Sequence, residues 1–497
     1  KAVGIKIVGL TNDVSFANGS IVMMSNDAIP FSVSDAGIIN VNAMMSGLGI
    51  PTTVKVVKGQ DGSTIYNKYK TAIIDGIAKL NINEDLDKVE ATIDANETSS
   101  DSAKRSSFEL FRRYLIQKAK VEIDNHKISA KLNATHLAKL DTKQVVGYEM
   151  NSSKTATSVA DTSITLKNGA KITADRIDAG DGAVGAFINY GKVSLDSSSS
   201  IDVENTETTN VNSKAVGIYA VNGSEVNNGG TITVNGNQSI GILGMAYRLD
   251  TKTSTPVVDE FGKAAVGQGK VTIKNTEKIT LSGDNTTGIY ATNNNTSSTV
   301  ADHTVENSGT ISVGKSSGSN TAIGIYADKV TVKPKDGTIE IGEKAVGIYG
   351  TNESVIGVAG DNLGKVKFNG EKGVAISLKG DASHPDAVLK GTKVTLDEDS
   401  SVATKPKTGI LADLNNDVIL ETEVDTGSLN HVTAYYSANK NIDVKANLDL
   451  NEESIGITGD TFNKAINLTY GDGTNPYTMN VGKKSVGLFG QRTINLK

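Results

Sequence analysis

A short apolar phrase of the form Ala-Val-Gly-Ile-Tyr-Ala recurs along the chain and sets its hydrophobic pattern. The phrase alternates side chains with a period of two and shows no helical periodicity, so each copy predicts a short strand. The clear copies are Ala2–Ile7, Ala183–Ile188, Ala215–Ala220, Ser239–Gly244, Thr286–Ala291, Ala322–Ala327, Ala345–Gly350, Thr408–Ala412, Ser454–Gly459 and Ser485–Gly490. A fixed phrase with a variable gap indicates a solenoid in which the added residues lie in loops.

A second pattern stands upstream of many copies: a turn rich in Asn, Asp and Gly, followed by alternating β-branched residues. Examples are Asn228–Val234, Asn307–Val313 and Asp336–Ile341. Each repeat therefore contains at least two short strands joined by sharp bends. This pattern predicts an all-β fold, a right-handed parallel β-helix whose rungs stack at about 4.8 Å.

The alternation of side chains predicts which positions of the phrase face the core. Val216 and Ile218 point to one face, and Ala215, Gly217 and Tyr219 point to the other. Two aliphatic ladders are expected to form the core. The first aligns Val216 with Val184, Ile240, Ile323, Val346, Val374, Val432, Ile455 and Val486, and the second aligns Ile218 with Ile242, Ile289, Ile325, Ile348, Ile376, Ile410, Ile457 and Leu488.

The tyrosine position of the phrase is mixed but often aromatic. Its members are Phe187, Tyr219, Leu243, Tyr290, Tyr326, Tyr349, Ser377, Leu411, Tyr435, Thr458 and Phe489. An aromatic stripe on the outside of a solenoid could be a ligand track. It could also be a stack that closes a corner or lies under a loop, and we favour the stack.

Residues 61–122 break the strand pattern. Apolar residues recur there at spacings of three and four, namely Ile65, Tyr69, Ala72, Ile73, Ile77 and Leu80. Further amphipathic stretches follow, and the last of them ends at Ala119. The chain is thus divided into N-terminal β-helix rungs (1–60), a small α-helical subdomain inserted at 61–122, and β-helix repeats with loop insertions (123–497).

Several loops are longer than a turn requires. They are Ala246–Lys263, Thr292–Glu306, Thr351–Gly364, Gly380–Leu389 and Ala412–Glu423. Long insertions on a regular solenoid are where binding specificity tends to lie.

Composition and charge narrow the class of partner. The net charge is −6 and only six residues are Arg, so the forked phosphate contacts of nucleic-acid binding are scarce. Complete absence of cysteine suits a chain that crosses an oxidising periplasm unfolded, although compositional bias is the alternative. No apolar run reaches the roughly 18–20 residues needed to span a bilayer, and no signal peptide is apparent.

The chain carries no recognisable catalytic or metal-binding motif. His126, His136, His303, His384 and His431 have no metal-ligand spacing, so we interpret them as structural or surface residues. Acidic runs such as Asp397-Glu398-Asp399 fall in turns, where a solvated turn is favoured over a catalytic pair. We expect no cofactor, no metal and no enzymatic activity.

The recurring AVGIYA, together with N-x-G-x-I-x-V, resembles the passengers of the large fusobacterial type V autotransporter adhesins, the RadD-like group. The resemblance runs from Ala2–Ile7 through Ser485–Gly490 and is carried by Lys214–Ala220, Thr321–Ala327 and Lys344–Gly350. It implies a long β-helical rod displayed at the cell surface by an outer-membrane barrel, here an excerpt of such a rod. It also implies attachment to host receptors, host glycans or other bacteria.

The expected function is therefore that of a monomeric adhesin segment that attaches to a host protein or glycan, or to a partner bacterium. The first candidate contact residues are Lys104, Arg105, Arg112, Arg113 and Tyr114, which hold half of all the arginines. A solvated helix face is the alternative for that cluster. Tyr247 and Arg248 are the second choice. A β-helical polysaccharide-cleaving enzyme and a passive spacer remain as alternative functions.

Overall fold

The computed structural model describes residues 183–203, 215–247, 269–294, 299–380, 383–460, 464, 466–490 and 493–497 with their side chains. It also describes the backbone of strands that precede residue 183 and of residues 204–205. The chain divides into two compact units. The first comprises Lys1–Gly236 with Val258–Gly267, and the second comprises Asn237–Val257 with Gln268–Lys497.

The first unit consists of strands in its described part. They are β1 (Ala2–Val8), β2 (Val22–Met23), β3 (Ala28–Ser34), β4 (Ile38–Asn40), β5 (Val54–Val56), β6 (Ala119–Ile123), β7 (Lys127–Leu132), β8 (Val145–Asn151), β9 (Ser163–Leu166), β10 (Lys171–Arg176), β11 (Ala183–Asn189), β12 (Lys192–Leu195), β13 (Ser200–Asn205), β14 (Val216–Val221), β15 (Glu225–Asn228) and β16 (Thr231–Asn235).

Three sheets are built from these strands, in the orders β1-β3-β8-β11-β14, β2-β6-β5-β7-β10-β13-β16 and β4-β9-β12-β15. Successive copies of the repeated phrase pair in parallel, with Val184 opposite Val216 and Phe187 opposite Tyr219. Strand β6 is the exception, because it pairs antiparallel with β2, β5 and β7.

The predicted helical insertion falls almost entirely outside the described residues. Ala119, which we assigned to its last helix, instead begins the strand β6. Its apolar spacing in the sequence also fits the alternation of this strand, Ala-Lys-Val-Glu-Ile, and short apolar runs do not distinguish the two structures.

The second unit continues the same architecture. Its strands are β17 (Ile240–Met245), β18 (Thr272–Asn275), β19 (Lys278–Ser282), β20 (Thr287–Thr292), β21 (Thr304–Asn307), β22 (Thr310–Val313), β23 (Ile323–Asp328), β24 (Thr331–Lys333), β25 (Thr338–Ile341), β26 (Val346–Thr351), β27 (Val355–Ile356), β28 (Asn362–Phe368), β29 (Val374–Lys379), β30 (Val388–Leu389), β31 (Lys393–Glu398), β32 (Lys407–Asp413), β33 (Val418–Leu420), β34 (Glu423–Asp425), β35 (Val432–Ser437), β36 (Ile442–Val444), β37 (Leu448–Leu450), β38 (Ile455–Gly459), β39 (Leu468–Tyr470), β40 (Met479–Val481), β41 (Val486–Phe489) and β42 (Ile494–Leu496).

In this unit the repeated phrase forms a repeat sheet, in the order β17-β20-β23-β26-β29-β32-β35-β38-β41. A facing sheet has the order β19-β22-β25-β28-β31-β34, and a third sheet has the order β18-β21-β24-β27-β30. Shorter sheets β33-β36-β39-β42 and β37-β40 complete it. The strands pair in parallel and residues of one ladder stay in register, as Ile289, Ile325 and Ile348 do. Each unit is thus a stack of parallel rungs, a parallel β-helix.

Two short 3-10 helices, Val300–Asp302 and Ser400–Val402, are the helical elements among the described residues. No helix in this part of the chain is long and apolar enough to cross a membrane.

The isoleucine ladder of the repeat sheet forms the core, as predicted. Ile242, Ile289, Ile325, Ile348, Ile376, Ile410 and Ile457 are all fully buried, while Leu488 is half-buried. Their partners across the core come from the facing sheet, where buried and partly exposed positions alternate along each strand. Burial of each such side chain stabilises the folded state by about 1.5–3 kcal/mol.

The prediction for the valine ladder is wrong in part. Val184, Val216 and Val346 are buried, but Ile240, Ile323, Val374 and Ile455 are only half-buried and Val486 is exposed. The reason is the glycine of the repeated phrase. A Cβ at this glycine would point into the core, and the following isoleucine points into the core as well, so two consecutive positions face inward and the alternation of inward and outward side chains is interrupted. A Cβ built on Gly324 would lie 2.3 Å from Ile339 Cγ2 and 2.5 Å from the Gly347 carbonyl oxygen.

The register of strand β35 also differs from the prediction, which placed Val432 in the valine ladder and Tyr435 at the aromatic position. Tyr435 pairs with Ile410, and Tyr436 pairs with Leu411, so Tyr436 stands at the aromatic position and Tyr435 in the core. Val432 accordingly pairs with Lys407 and not with a valine-ladder residue. Tyr435 is fully buried, and its hydroxyl donates to the Thr422 carbonyl oxygen at 2.7 Å, which satisfies the polar group.

Candidate functional site

A groove about 650 Å³ in volume lies on the outer face of the third sheet in the second unit. We call it the valine groove. Its lining residues are Thr299, Val300, Ala301, Lys329, Thr331, Glu353, Val355, Gly357, Val358, Ala359 and Lys390. They come from the inserted loops Thr292–Glu306 and Thr351–Gly364 and from the rungs beside them, so two of the loops singled out in the sequence contribute to this concave surface.

The floor of the groove is a ladder of outward-facing side chains. Thr331 of β24 and its partner Val355 of β27 line the groove, and Val388 of β30, which pairs with Val355, continues this ladder beyond the lining residues. The inward neighbours Val332 and Ile356 are fully buried. The two rungs before β24 carry threonine at the same outward position, Thr272 and Thr304. The valines that replace threonine at these solvent-facing positions therefore do not add to the buried core, and they expose an apolar surface to solvent.

One wall is the 3-10 helix Val300–Asp302. Its first turn is closed by Thr299, whose Oγ1 donates to Asp302 Oδ2 at 3.0 Å and whose backbone N donates to the same oxygen. These hydrogen bonds are the main reason that the pKa of Asp302 is lowered. Thr331 Oγ1 donates to the Val300 carbonyl oxygen at 3.3 Å and joins the wall to the floor.

His303 anchors this wall from below. It is fully buried, and its Nδ1 accepts a hydrogen bond from the Val271 backbone N at 3.1 Å. Burial lowers its pKa to about 4, so the ring is neutral at pH 7. The interpretation of His303 as a structural histidine is confirmed.

The opposite wall is the turn that follows β27. Gly357 has a φ of +84°, and a Cβ there would collide with Leu363 and with the backbone of Gly391. The Asp361 backbone N donates to the Val358 carbonyl oxygen and closes the turn at 3.0 Å. Val358 and Val388 remain 37% and 42% exposed, so the groove is open to solvent.

Charges lie at the rim of the groove. Among the described residues neither Lys329 nor Lys390 forms an ion pair, and Glu353 is the carboxylate of the lining. The nearby Lys333 and Lys335 differ, because Glu306 contacts their ammonium groups at 3.5 and 2.8 Å. The groove therefore combines aliphatic side chains with one glutamate and with two lysines that form no ion pair among the described residues.

The aromatic positions form a different surface, which we call the tyrosine stripe (Tyr290, Tyr326 and Tyr349). The ring centroids of Tyr290 and Tyr326 are 4.4 Å apart with planes at 10°, and those of Tyr326 and Tyr349 are 5.4 Å apart at 7°. Desolvation is the main cause that raises the pKa of Tyr326 far above its usual value. The rings cover one another, which favours the stack over the ligand track.

The predicted contact residues are mostly outside the described residues: Lys104, Arg105, Arg112, Arg113, Tyr114 and Arg248. Tyr247 is described and half-buried. Its backbone N donates to Asn294 Oδ1 at 2.7 Å, and Asn294 Nδ2 donates back to its carbonyl oxygen. A Cβ on Gly269 would lie 2.6 Å from the ring, so Tyr247 packs against backbone and is not one of the residues that line the valine groove.

The acidic run Asp397-Glu398-Asp399 is engaged in structural contacts. Asp397 pairs with Lys365 at 3.3 Å, and Glu398 pairs with the fully buried Lys407 at 2.6 Å. Asp399 accepts from the Ser401 backbone N and caps the 3-10 helix Ser400–Val402. Within the described part of the chain no cluster of three His, Cys, Asp or Glu residues could hold a metal ion.

Scans against protein-family models, curated proteins and solved structures return no match for this chain.

Sequence reasoning missed the lining residues of the valine groove as individual side chains, although it named their loops. A signal existed at two positions, since Val355 and Val388 occupy the outward place that is threonine in the three preceding rungs, at Thr272, Thr304 and Thr331. That signal requires the pairing register, because β27 and β30 are only two residues long and are hard to align from the sequence.

Proposed function

We propose that this chain is a segment of a surface-displayed adhesin that attaches to a partner cell without chemical change, through the valine groove. The observation that carries the proposal is the open apolar groove between two inserted loops, with two lysines that form no ion pair among the described residues. Exposed apolar patches on such a surface mark interaction sites more often than chance. The partner class is a host surface protein or glycan, or the surface of another bacterium, and the location is the cell surface.

The arrangement of the carboxylates favours attachment over the cleavage of a polysaccharide. Glycosidases use two carboxylates that flank the bond to be cleaved. The lining of the valine groove holds one carboxylate, Glu353. The acids of the run Asp397-Glu398-Asp399 are held by two ion pairs and a cap, which oppose a role in proton transfer.

The test compares fluorescently labelled protein on intact partner cells with a groove variant, Val358→Asp/Val388→Asp. Both side chains are exposed, so the fold tolerates the change while one negative charge enters the wall and another enters the floor ladder. The matched control is Ile419→Asp, an exposed aliphatic residue of β33 at another surface. We expect the groove variant to lose at least tenfold in cell binding and the control to keep it.

Equal binding by all three proteins would contradict the proposal and favour the passive spacer, in which no insertion matters singly. Release of new reducing ends from polysaccharides would favour the enzyme.

A further inference from the structure

We infer that the valine groove binds an extended acidic peptide segment, with aliphatic side chains on its floor and an acidic side chain at each end. The inference rests on the proposed function and deepens it by naming the chemical class of the ligand. Three features of the described residues carry it: the nature of the floor, the openness of the groove and the position of its two lysines.

The floor selects aliphatic over carbohydrate ligands. The apolar side chains that line the groove are Val355 in the floor, Val300 and Ala301 in one wall, and Val358 and Ala359 in the other, and no aromatic ring is among them. Sugar rings are commonly held against aromatic faces, and the aromatic rings of this unit's tyrosine stripe are stacked on one another instead. Valine and alanine methyl groups are matched by aliphatic side chains, whose burial contributes about 25 cal/mol per Å² of apolar surface.

The openness of the groove favours a chain segment over a small molecule. Small ligands are usually enclosed on most of their surface. Here the floor crosses three rungs, from Thr331 through Val355 to Val388, and Val388 stays 42% exposed. A segment laid across three rungs, at roughly 4.8 Å per rung, covers these side chains in one extended conformation.

The two lysines stand at opposite corners of this surface. Lys329 precedes the outward Thr331 by two residues, and Lys390 follows the outward Val388, two rungs away, by two residues. Strand and rung spacings place their backbones roughly 15 Å apart. An extended peptide covers that distance in four or five residues, so acidic side chains four apart meet one lysine each.

The turn geometry holds the first of these corners in place. Lys329 and Glu353 have φ values of +57° and +62°, which most side chains rarely adopt. The Glu353 backbone N donates to the Pro385 carbonyl oxygen at 3.0 Å, and the Val388 backbone N donates to the Ser354 carbonyl oxygen at 2.8 Å. The turn before β27 and the loop before β30 are therefore tied to one another before any ligand binds.

The experiment measures fluorescence anisotropy of three labelled synthetic peptides with the whole chain. The first has the core Asp-Val-Leu-Val-Glu, the second the neutral core Asn-Val-Leu-Val-Gln, and the third the polar core Asp-Ser-Gly-Ser-Glu. We expect the first to bind and each of the others to bind at least tenfold more weakly. Binding of the first is expected to weaken as salt rises from 50 to 300 mM, because exposed charges are screened.

The protein variants are Lys329→Gln/Lys390→Gln and, as a matched change of charge elsewhere in the unit, Lys440→Gln/Lys445→Gln. We expect the first pair to weaken binding of the acidic peptide at least tenfold and the second pair to change it less than twofold. Circular dichroism and thermal melts check that both fold as the parent does.

Equal affinity for the acidic and the neutral peptide would overturn the inference, because the lysines would then not attract the acidic side chains. An equal loss of affinity in the two double lysine variants would also overturn it, because the attraction would then not be specific to the groove. If the acidic peptide fails to bind while Val358→Asp/Val388→Asp still abolishes cell attachment, the ligand class is wrong and the proposed function stands. If cell attachment is unaffected by the groove variant, the proposed function itself fails.

Discussion

Two apolar surfaces face outward in the second unit, and they differ in how their side chains are covered. In the tyrosine stripe the rings cover one another, because the centroids of neighbouring rings are 4.4 or 5.4 Å apart. The valines of the groove sit in neighbouring rungs too, but Val358 and Val388 remain more than a third exposed. Large planar side chains fill the spacing between rungs, whereas valines are too small to cover each other. An outward apolar ladder therefore stabilises the fold in one place and leaves an open surface in the other.

The largest expected effect on the free energy of unfolding comes from a substitution in the strand that carries the tyrosine stripe. Gly324→Ala would place a Cβ 2.3 Å from Ile339 Cγ2 and 2.5 Å from a backbone oxygen, so the strand that carries Tyr326 must shift. We expect a loss of about 3 kcal/mol in the free energy of unfolding, measured by guanidinium titration. Gly350→Ala is the control, because a Cβ there meets only side chains, and the paired residue of β23 is already Ala327. Equal losses in both variants would show that the close approach is not what matters.

The second prediction removes the middle ring of the stripe. Tyr326→Ala should lower the free energy of unfolding by about 2–3 kcal/mol, since a half-buried ring and two stacking contacts are lost. Tyr326→Phe keeps the ring and should lose less than about 1 kcal/mol. Neither variant should change attachment to partner cells. Loss of attachment in the alanine variant with an unchanged unfolding midpoint would reassign the stripe as a ligand track.

Acid should weaken the groove wall through His303. The ring stays neutral in the folded protein down to a pKa of about 4, whereas in the unfolded chain it is protonated below about 6.5. The unfolded state thus binds more protons, and stability present above pH 6.5 is lost as the pH falls towards 4. We expect a loss of about 2 kcal/mol between pH 7.5 and pH 5. His303→Asn keeps an acceptor for the Val271 backbone N, and a slope as steep as the parent's would exclude His303 as the source.

The smallest expected effect on stability tests the outward valines. Val388→Thr restores the residue type of upstream rungs and should change the free energy of unfolding by less than about 0.5 kcal/mol, yet lower cell attachment. Val332→Thr, at a fully buried position of the same sheet, should cost about 2 kcal/mol. Comparable unfolding midpoints in the two variants would remove the distinction between floor and core.

The sequence was sufficient to predict the parallel solenoid and the fully buried isoleucine ladder, because both follow from a phrase repeated at rung spacing. It misplaced the valine ladder, since the inward glycine breaks the alternation on which that assignment relied. It also misplaced Tyr435, because one copy of the phrase is shifted by a residue and only strand pairing reveals the shift. The basic cluster at 104–114 remains a prediction.

What the sequence determined by itself is the rung: strand-forming residues, turns and a core side chain recur locally, and local patterns can be read without neighbours. What only the tertiary structure decided is the surface between rungs. Val355 and Val388 are 33 residues apart in the sequence but are neighbours in the sheet. Lys329 and Lys390 come from different turns and line the same groove. Loops of unequal length set that juxtaposition, so it depends on the register in which the rungs stack.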